Sequence, residues 1–290
     1  MKKIAEVYHY AIDKLNAAGI ENAAYDAKIL FETVFGVSYA NIIISPDMKY
    51  DEKLVNELDI MLKRRVAGEP LQYIIGEWEF MGFNFKVGEG VLIPRPETEM
   101  LVEYTEKKLD GVYRPVVYDL CSGSGCVGLS VKKLLHSARV FMIEKSDDAL
   151  KYLNENREML ELTRETAVIK GDITLGYTGF SALPKPDVIL SNPPYIRSCE
   201  IDSLQTEVKH EPRMALDGGD DGLDFYRCLA EKWLPYINAG GYIAVECGED
   251  QADDIISMFI PYCEQVDVLN DFSNVRRIVI GTVANNPKEI

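Results

Sequence analysis

Apolar residues recur along this chain in two rhythms, and the change of rhythm divides it. From residue 4 to the middle sixties they return every three or four positions. Ile4, Val7, Tyr8, Ala11 and Leu15 fall on one helical face, and Gly19 stops the run. Asn22 stands where a cap is expected for a second helix carrying Ala23, Ala27, Leu30, Phe31 and Val34. Asp51 does the same for a third with Leu54, Val55, Leu58, Met61 and Leu62, closing at Gly68. Three short amphipathic helices predict a small bundle over residues 1–75. Such a bundle serves as a substrate-recognition module or simply stabilises the larger part.

Between 76 and 93 the period shortens to two. Met81, Phe83, Phe85 and Val87 alternate with Gly82, Asn84 and Lys86, and Gly88 and Gly90 mark a turn into Val91-Leu92-Ile93. This predicts a β-hairpin linker over 76–93. From 94 to 290, candidate strands at 115–120, 139–143, 167–170, 187–191, 241–246, 265–269 and 275–282 alternate with helical stretches. Examples are Ala149, Leu150 and Leu153, and Tyr226, Leu229, Ala230 and Trp233. The alternation predicts an α/β domain with a mostly parallel sheet. No internal repeat or low-complexity tract interrupts it.

The strand ending at Asp187-Val188-Ile189-Leu190 runs into Asn192-Pro193-Pro194-Tyr195. Prolines lock φ and donate no N–H, so the segment is stiff and its carbonyls stay free. The residue before a proline is driven to extended geometry, which aims Asn192 outward. The Asn192 side-chain oxygen and the Pro193 carbonyl are two acceptors for one planar –NH2 group, and Tyr195 is an aromatic face on which it can stack. Acceptors on the N–H groups push electron density onto a nitrogen whose lone pair is otherwise delocalised. Their dipoles also stabilise the positive charge that grows as that nitrogen is alkylated. By itself the tetrapeptide fits a proline-rich turn equally well.

The strand at 115–120 opens into Asp119-Leu120-Cys121-Ser122-Gly123-Ser124-Gly125-Cys126-Val127-Gly128. Gly123-x-Gly125-x-x-Gly128 is a nucleotide-type fingerprint at a helix N-terminus. Glu144, 21 residues beyond Gly123, stands where an acid accepts from ribose hydroxyls. An NAD enzyme and an S-adenosylmethionine enzyme both fit that loop. Asp119, placed to engage the cofactor's ammonium or to order the loop, favours S-adenosylmethionine. So does Asp172, placed to accept from an adenine amino group, with a helix N-cap as its other reading. The Asn-Pro-Pro-Tyr segment then lies at the same edge of the sheet, which brings Asn192 beside the cofactor.

Composition narrows the partner. The formal net charge is −16 over 290 residues, so the chain as a whole lacks the basic surface of a nucleic-acid binder, and protein or a small molecule is the expected substrate. No apolar run reaches membrane-spanning length, and no signal-peptide core follows Met1. Cys121, Cys126, Cys199, Cys228, Cys247 and Cys263 form no CxxC pair, which fits a reducing cytoplasm. No metal set is expected, and the acidic stretch Glu246 to Asp254 reads as a solvated helix start.

Taken together, these motifs resemble the N5-glutamine methyltransferases that modify peptide chain release factors, the HemK/PrmC family. The likeness spans nearly the whole chain: Arg64-Arg65 with Gly68-Glu69-Pro70-Leu71-Gln72-Tyr73-Ile74, Glu79-Phe80-Met81-Gly82, and Leu92 through Glu99. It continues with the glycine loop, Asn192 to Tyr195, Glu211 through Leu216 and Gly218 through Leu223. The resemblance implies a seven-stranded Rossmann-like class I methyltransferase domain behind a helical domain. It implies methyl transfer from S-adenosylmethionine to the glutamine of the Gly-Gly-Gln loop of class 1 release factors, by a monomeric enzyme. Carried over by motif, Cys121, Ser122, Gly123, Ser124 and Gly125 hold the methionine end of the cofactor, Glu144 the ribose, Ile173 the adenine pocket, and Asn192 to Tyr195 the substrate glutamine. Cys121 departs from the glycine common in methyltransferases, and Ile173 from a frequent aromatic. No general base is evident, since His9, His136 and His210 lie outside these motifs. The alternatives are an amino-methylase of adenine or guanine in nucleic acid, a non-catalytic relative and, more remotely, an NAD oxidoreductase.

Overall fold

The structure, a computed structural model, describes residues 2–284. The chain divides into two compact units. One runs to Glu77 and includes Gln205–His210; the other takes Trp78–Leu204 and continues from Glu211. Among the described residues no helix is long and apolar enough to cross a membrane.

In the first unit, strand β1 (Lys2–Lys3) leads into α1 (Ile4–Ala17), α2 (Ala23–Phe35) and the short α3 (Tyr39–Ile44). Strand β2 (Lys49–Tyr50) pairs antiparallel with β1, and α4 (Glu52–Val66) and α5 (Leu71–Ile75) follow. The apolar face expected of α1 is the buried one: Ile4, Val7, Ala11 and Leu15 pack inward with Leu30 and Phe31 of α2 and Leu58 and Leu62 of α4. Asp51 caps α4 by accepting from the Lys53 N–H at 3.1 Å. One charged pair lies inside this bundle. Arg65 donates to Asp26 at 2.7 Å, with both side chains buried, and reaches Glu207 at 2.9 Å.

A hairpin does form in the region read as a linker, but its turn sits earlier than the alternation suggested, and from Trp78 onward it belongs to the second unit. Strands β3 (Glu77–Phe80) and β4 (Phe83–Lys86) meet at Met81-Gly82, and 91–93 is not a strand. Met81 and Gly82 have φ of 54° and 75°. Two left-handed residues in succession make the tight turn whose twist matches paired strands.

The second unit then runs α6 (Glu99–Lys108), β5 (Val116–Leu120), α7 (Cys126–Leu134), β6 (Arg139–Glu144), α8 (Asp147–Met159), β7 (Thr166–Lys170) and β8 (Val188–Ser191). It continues with α9 (Asp224–Lys232), β9 (Tyr242–Glu246), α10 (Ala252–Phe259), β10 (Gln265–Asn270) and β11 (Arg276–Thr282). The sheet order is β10-β11-β9-β8-β5-β6-β7. Strands β5 to β9 are mutually parallel, whereas β11 is antiparallel to both its neighbours.

The central strands are buried on both faces, which is why they read as unbroken apolar runs. Alternate residues serve two cores. Tyr118, Ile189, Ile243 and Val279 pack with Leu229, Trp233 and Ile255 on one face. Val117, Val188, Leu190, Ala244 and Ile278 pack with Leu101, Leu129 and Leu153 on the other. The parallel strands therefore end along a single edge, and the strand order reverses between β5 and β8. Ligand sites of open α/β sheets form at that edge and that reversal.

Candidate active site

At the end of β5 the backbone turns sharply into α7. Cys121 takes φ 61°, Gly123 54° and Gly125 82°, so a side-chain-bearing residue sits in the left-handed region at the first position of the loop. That geometry costs a non-glycine residue roughly 1–2 kcal/mol. The glycine at 128 has a different cause: a Cβ there would fall 2.7 Å from Met142 Cγ and 2.9 Å from Asp119 Oδ2. Its absence lets Asp119 accept the Gly128 N–H at 2.9 Å, which ties the strand end to the helix start.

Glu144, at the end of β6, holds the same loop from the other side. Oε2 accepts the Gly123 N–H at 2.8 Å, while Oε1 accepts the N–H groups of Lys145 and Ser146 at 2.8 and 2.7 Å. Asn156 of α8, fully buried, donates to the Ser124 carbonyl at 2.9 Å and exchanges hydrogen bonds with the backbone of Lys86. At the end of β7, Asp172 acts as a cap. It accepts from the Thr174 N–H and hydroxyl at 2.9 and 2.7 Å and pairs with Lys145 at 2.8 Å. Burial opposes its charge, but Lys145 and Thr174 outweigh burial and lower the carboxyl to about 2.

Beyond β8, Asn192 leaves the sheet edge and its Nδ2 meets Thr98 Oγ1 at 3.1 Å. The Thr98 hydroxyl in turn lies 2.5 Å from Glu246 Oε2, at the end of β9. The Tyr195 hydroxyl approaches the other oxygen of Glu246 at 3.4 Å, and Tyr226 donates to the Glu246 carbonyl at 2.7 Å. Glu246 is thus a buried group of the sheet edge. Only the residues after it open the acidic, solvent-facing helix start that its charge suggested.

The 218–222 loop explains how the Asn-Pro-Pro-Tyr backbone is held. A Cβ at Gly218 would sit 2.8 Å from the Pro194 carbonyl, and one at Gly222 would sit 2.4 Å from the Tyr195 carbonyl. Gln251 completes the brace by donating to the carbonyls of Tyr195 and Gly222 at 2.9 and 3.1 Å. On the opposite side, Glu211 accepts from the Ile93 N–H at 2.9 Å and pairs with Arg95, which fixes the segment from Pro94 to Thr98.

These elements enclose one open cleft of about 950 Å³. Asp119, Cys121, Ser122, Gly123, Ser124, Glu144, Asp172, Ile173, Asn192 and Pro194 are among its walls, so the structure gathers most of the expected residues. Gly125, Pro193 and Tyr195 do not border it. Gly125 caps α7, Pro193 is buried, and Tyr195 packs against the core below. Pro94 and Thr98 are walls too, from the Pro94–Glu99 segment that the sequence reads either as a border of the cofactor or substrate mouth or as an ordered interdomain turn, and Pro212, Met214 and Phe225 are walls that motif spacing alone did not assign. Two wall groups have unsatisfied chemistry. The Ser124 hydroxyl is buried without a hydrogen-bond partner, and burial lifts the Asp119 carboxyl to about 7. Burial also pushes the Cys121 thiol well above its ordinary range, with Glu144 and Asp119 adding to the rise, so it is no thiolate nucleophile.

Similarity to known proteins decides the family. Over 288 residues the chain is 36% identical to the release factor glutamine methyltransferase of Caulobacter vibrioides, covering 99% of this chain and 98% of that one. It belongs to the release factor glutamine methyltransferase family. Relatives of the same name in Geobacter sulfurreducens and Thermodesulfovibrio yellowstonii are 33% and 38% identical. They cover 97% and 76% of this chain, and 96% and 78% of their own. Residues 6–76 match the PrmC N-terminal domain and 96–219 the methyltransferase small domain. The catalytic domain of hMettl16, solved with the MAT2A 3'UTR hairpin 6, has a TM-score of 0.56 at 13% identity, covering 84% of this chain and 85% of that one. That likeness bears on the fold alone, a class I methyltransferase sheet. Membership makes the cleft at this sheet edge the candidate methyl-transfer site.

Proposed function

We propose that this protein transfers a methyl group from S-adenosylmethionine to the side-chain amide nitrogen of the glutamine in the Gly-Gly-Gln loop of class 1 release factors. One observation carries the reading. Residues 121–124 of the glycine loop, Asn192 and Pro194 are walls of a single cleft at the reversal of strand order, so a nucleoside donor and a planar amide acceptor can meet there. The cleft fits the donor chemically. It offers a buried acid for an ammonium at Asp119, an orphaned hydroxyl at Ser124 and an apolar wall at Ile173 for a base. The cofactor supplies a methyl group already activated on a sulfonium.

What remains for the protein is positioning, which by itself accounts for several powers of ten in rate. Asn192 holds the substrate amide, and the braced Pro193-Pro194 backbone keeps that acceptor from drifting. Asp119, Cys121, Ser122, Gly123 and Ser124 form the methionine end of the donor site, and Gly125 shapes the turn into α7 behind them. Glu144 lies on its ribose side, and Asp172 and Ile173 lie at its adenine end. The helical unit over residues 1–75 recognises the release factor, and the enzyme works as a monomer. Transfer of labelled methyl to a purified release factor, beside a copy with the loop glutamine changed to alanine, tests the reading. Label on the first alone is the expected result. Label appearing instead on RNA or DNA would overturn it.

A further inference from the structure

Residues 98, 192 and 246 are far apart in the chain and meet at the cleft, Thr98 and Asn192 in its wall and Glu246 behind them. Thr98 Oγ1 lies 2.5 Å from Glu246 Oε2 and 3.1 Å from Asn192 Nδ2. Thr98 and Glu246 are each 2% exposed, so bulk solvent does not compete for either contact. A carboxylate only accepts, so the single proton of the Thr98 hydroxyl is committed to Glu246. The Thr98 oxygen then offers only lone pairs to Asn192, and the amide must present its NH2 there. Its oxygen is turned to the opposite side. An asparagine amide without such a constraint can turn over, exchanging its oxygen for a donor that would oppose a substrate N–H.

We propose that Thr98 and Glu246 are positioning residues for methyl transfer, the carboxylate ordering the hydroxyl and the hydroxyl holding the Asn192 oxygen toward the substrate amide. The inference rests on the reading of Asn192 as the group that holds the substrate. It assigns a task to two buried side chains that otherwise have none.

The surroundings of Glu246 make the relay sensitive to pH. Its carboxyl is faced by the hydroxyls of Thr98 and Tyr195, by Glu97, and at longer range by Arg95 and Arg277, while Tyr226 and Cys247 adjoin its backbone. Burial raises it to about 7, with Glu97 adding to the rise and Thr98 and the two arginines opposing it. A protonated Glu246 can donate to Thr98, which frees the hydroxyl to donate to Asn192 and turn the amide over. At saturating cofactor the turnover rate therefore falls as pH drops through about 7.

The test measures methyl transfer to a purified release factor across pH for the wild type, Thr98→Ser, Thr98→Val and Glu246→Gln, together with cofactor Kd. Valine keeps the shape of threonine and removes the hydroxyl. The expected result is a fall in kcat of tenfold or more in Thr98→Val, with cofactor Kd within about twofold of wild type. Thr98→Ser stays within about threefold in kcat. The acid limb is present in wild type and Thr98→Ser and absent in Thr98→Val and Glu246→Gln. A Thr98→Val enzyme that keeps its rate and its acid limb overturns the proposal, as does a serine variant that falls as far as valine. Should the valine variant not fold, Glu246→Gln decides, because an unchanged acid limb there overturns the relay. A wild-type enzyme that methylates no release factor sinks the reaction itself, which is a different outcome from an intact reaction indifferent to Thr98.

Discussion

Asp119 offers the sharpest quantitative test of the donor site. Its side chain is 1% exposed at the end of β5, and burial raises its carboxyl to about 7. The Gly128 N–H at 2.9 Å pulls the other way, and the charge of Glu144 adds to the rise. If Asp119 receives the cofactor's ammonium, only its ionised form binds well. A group of pKa about 7 is half ionised at pH 7 and about 3% ionised at pH 5.5, so affinity should weaken about fifteenfold over that window. The sign is definite: an ammonium partner lowers the carboxyl pKa on binding, so binding strengthens as pH rises toward 7. An α-amino group titrates near 7.7–8.0, above the window, so the ligand itself contributes little. Asp119→Asn keeps the shape and the acceptor for Gly128. It should weaken binding at pH 7 by about 1.5–3 kcal/mol, the loss of one charged hydrogen bond, and should flatten the pH dependence. Calorimetric titration of S-adenosylmethionine into both proteins between pH 5.5 and pH 7 reads the result. A wild-type Kd that moves less than threefold, or an asparagine variant with the same slope, would refute the assignment.

Three further outcomes are expected. Asn192→Ala lowers kcat about 10²–10³-fold, the usual cost of one preorganised polar contact, while cofactor Kd stays within a factor of two; equal loss of cofactor binding would count against its role. Gly222→Ala puts a Cβ 2.4 Å from the Tyr195 carbonyl and 2.6 Å from Gln251 Nε2, at a φ of 77°. It should cost about 1–3 kcal/mol in urea denaturation and lower kcat more than cofactor affinity. In the helical unit, Arg65→Met leaves Asp26 buried without its cation and should destabilise by about 3–5 kcal/mol. Arg65→Met with Asp26→Leu should recover most of that, because an apolar pair replaces a buried ion pair at little net cost.

The methyltransferase domain was legible because its central strands are buried on both faces and so stand out as short apolar runs. All seven strand positions read from those runs agree with the sheet to within a residue or so at each end. The helix faces of α1, α2 and α4 were legible for a similar reason. The short α3 and α5 were not, since five or six residues are too few to show a period. The hairpin was foreseen with the wrong turn. Its apolar alternation continues from 81 to 87, and nothing in it shows that Met81 adopts positive φ. At the site, local motifs pointed to Asn192 and the glycine loop. Thr98 falls in a segment legible as a border of the site, but its hydrogen bonds, like the parts played by Glu246 and Gln251, arise only where distant segments meet. Glu246 in particular heads an acidic run, and charge along a sequence does not report depth.

The five parallel strands give the cleft a division of labour that follows their order. Reading across the sheet, Asp172, Glu144 and Asp119 stand at the ends of β7, β6 and β5 and line the cleft on what the proposed reaction makes the donor side. Beyond the reversal, Asn192 and Glu246 stand at the ends of β8 and β9, on what the same reading makes the acceptor side. A carboxyl raised to about 7 by burial stands on each side, Asp119 and Glu246. Environments this similar would be redundant if both acids served one purpose. Their partners separate them. Asp119 borders the cleft itself, and on the proposed reading it gains a charge partner when the donor binds, so its titration would belong to binding. Glu246 is buried against Thr98, and in the proposed relay it orders a neutral chain that ends at Asn192, so its titration would belong to turnover. Saturating the cofactor should therefore abolish one acid limb and leave the other, and kinetics at two cofactor concentrations can tell the two carboxyls apart without altering a residue.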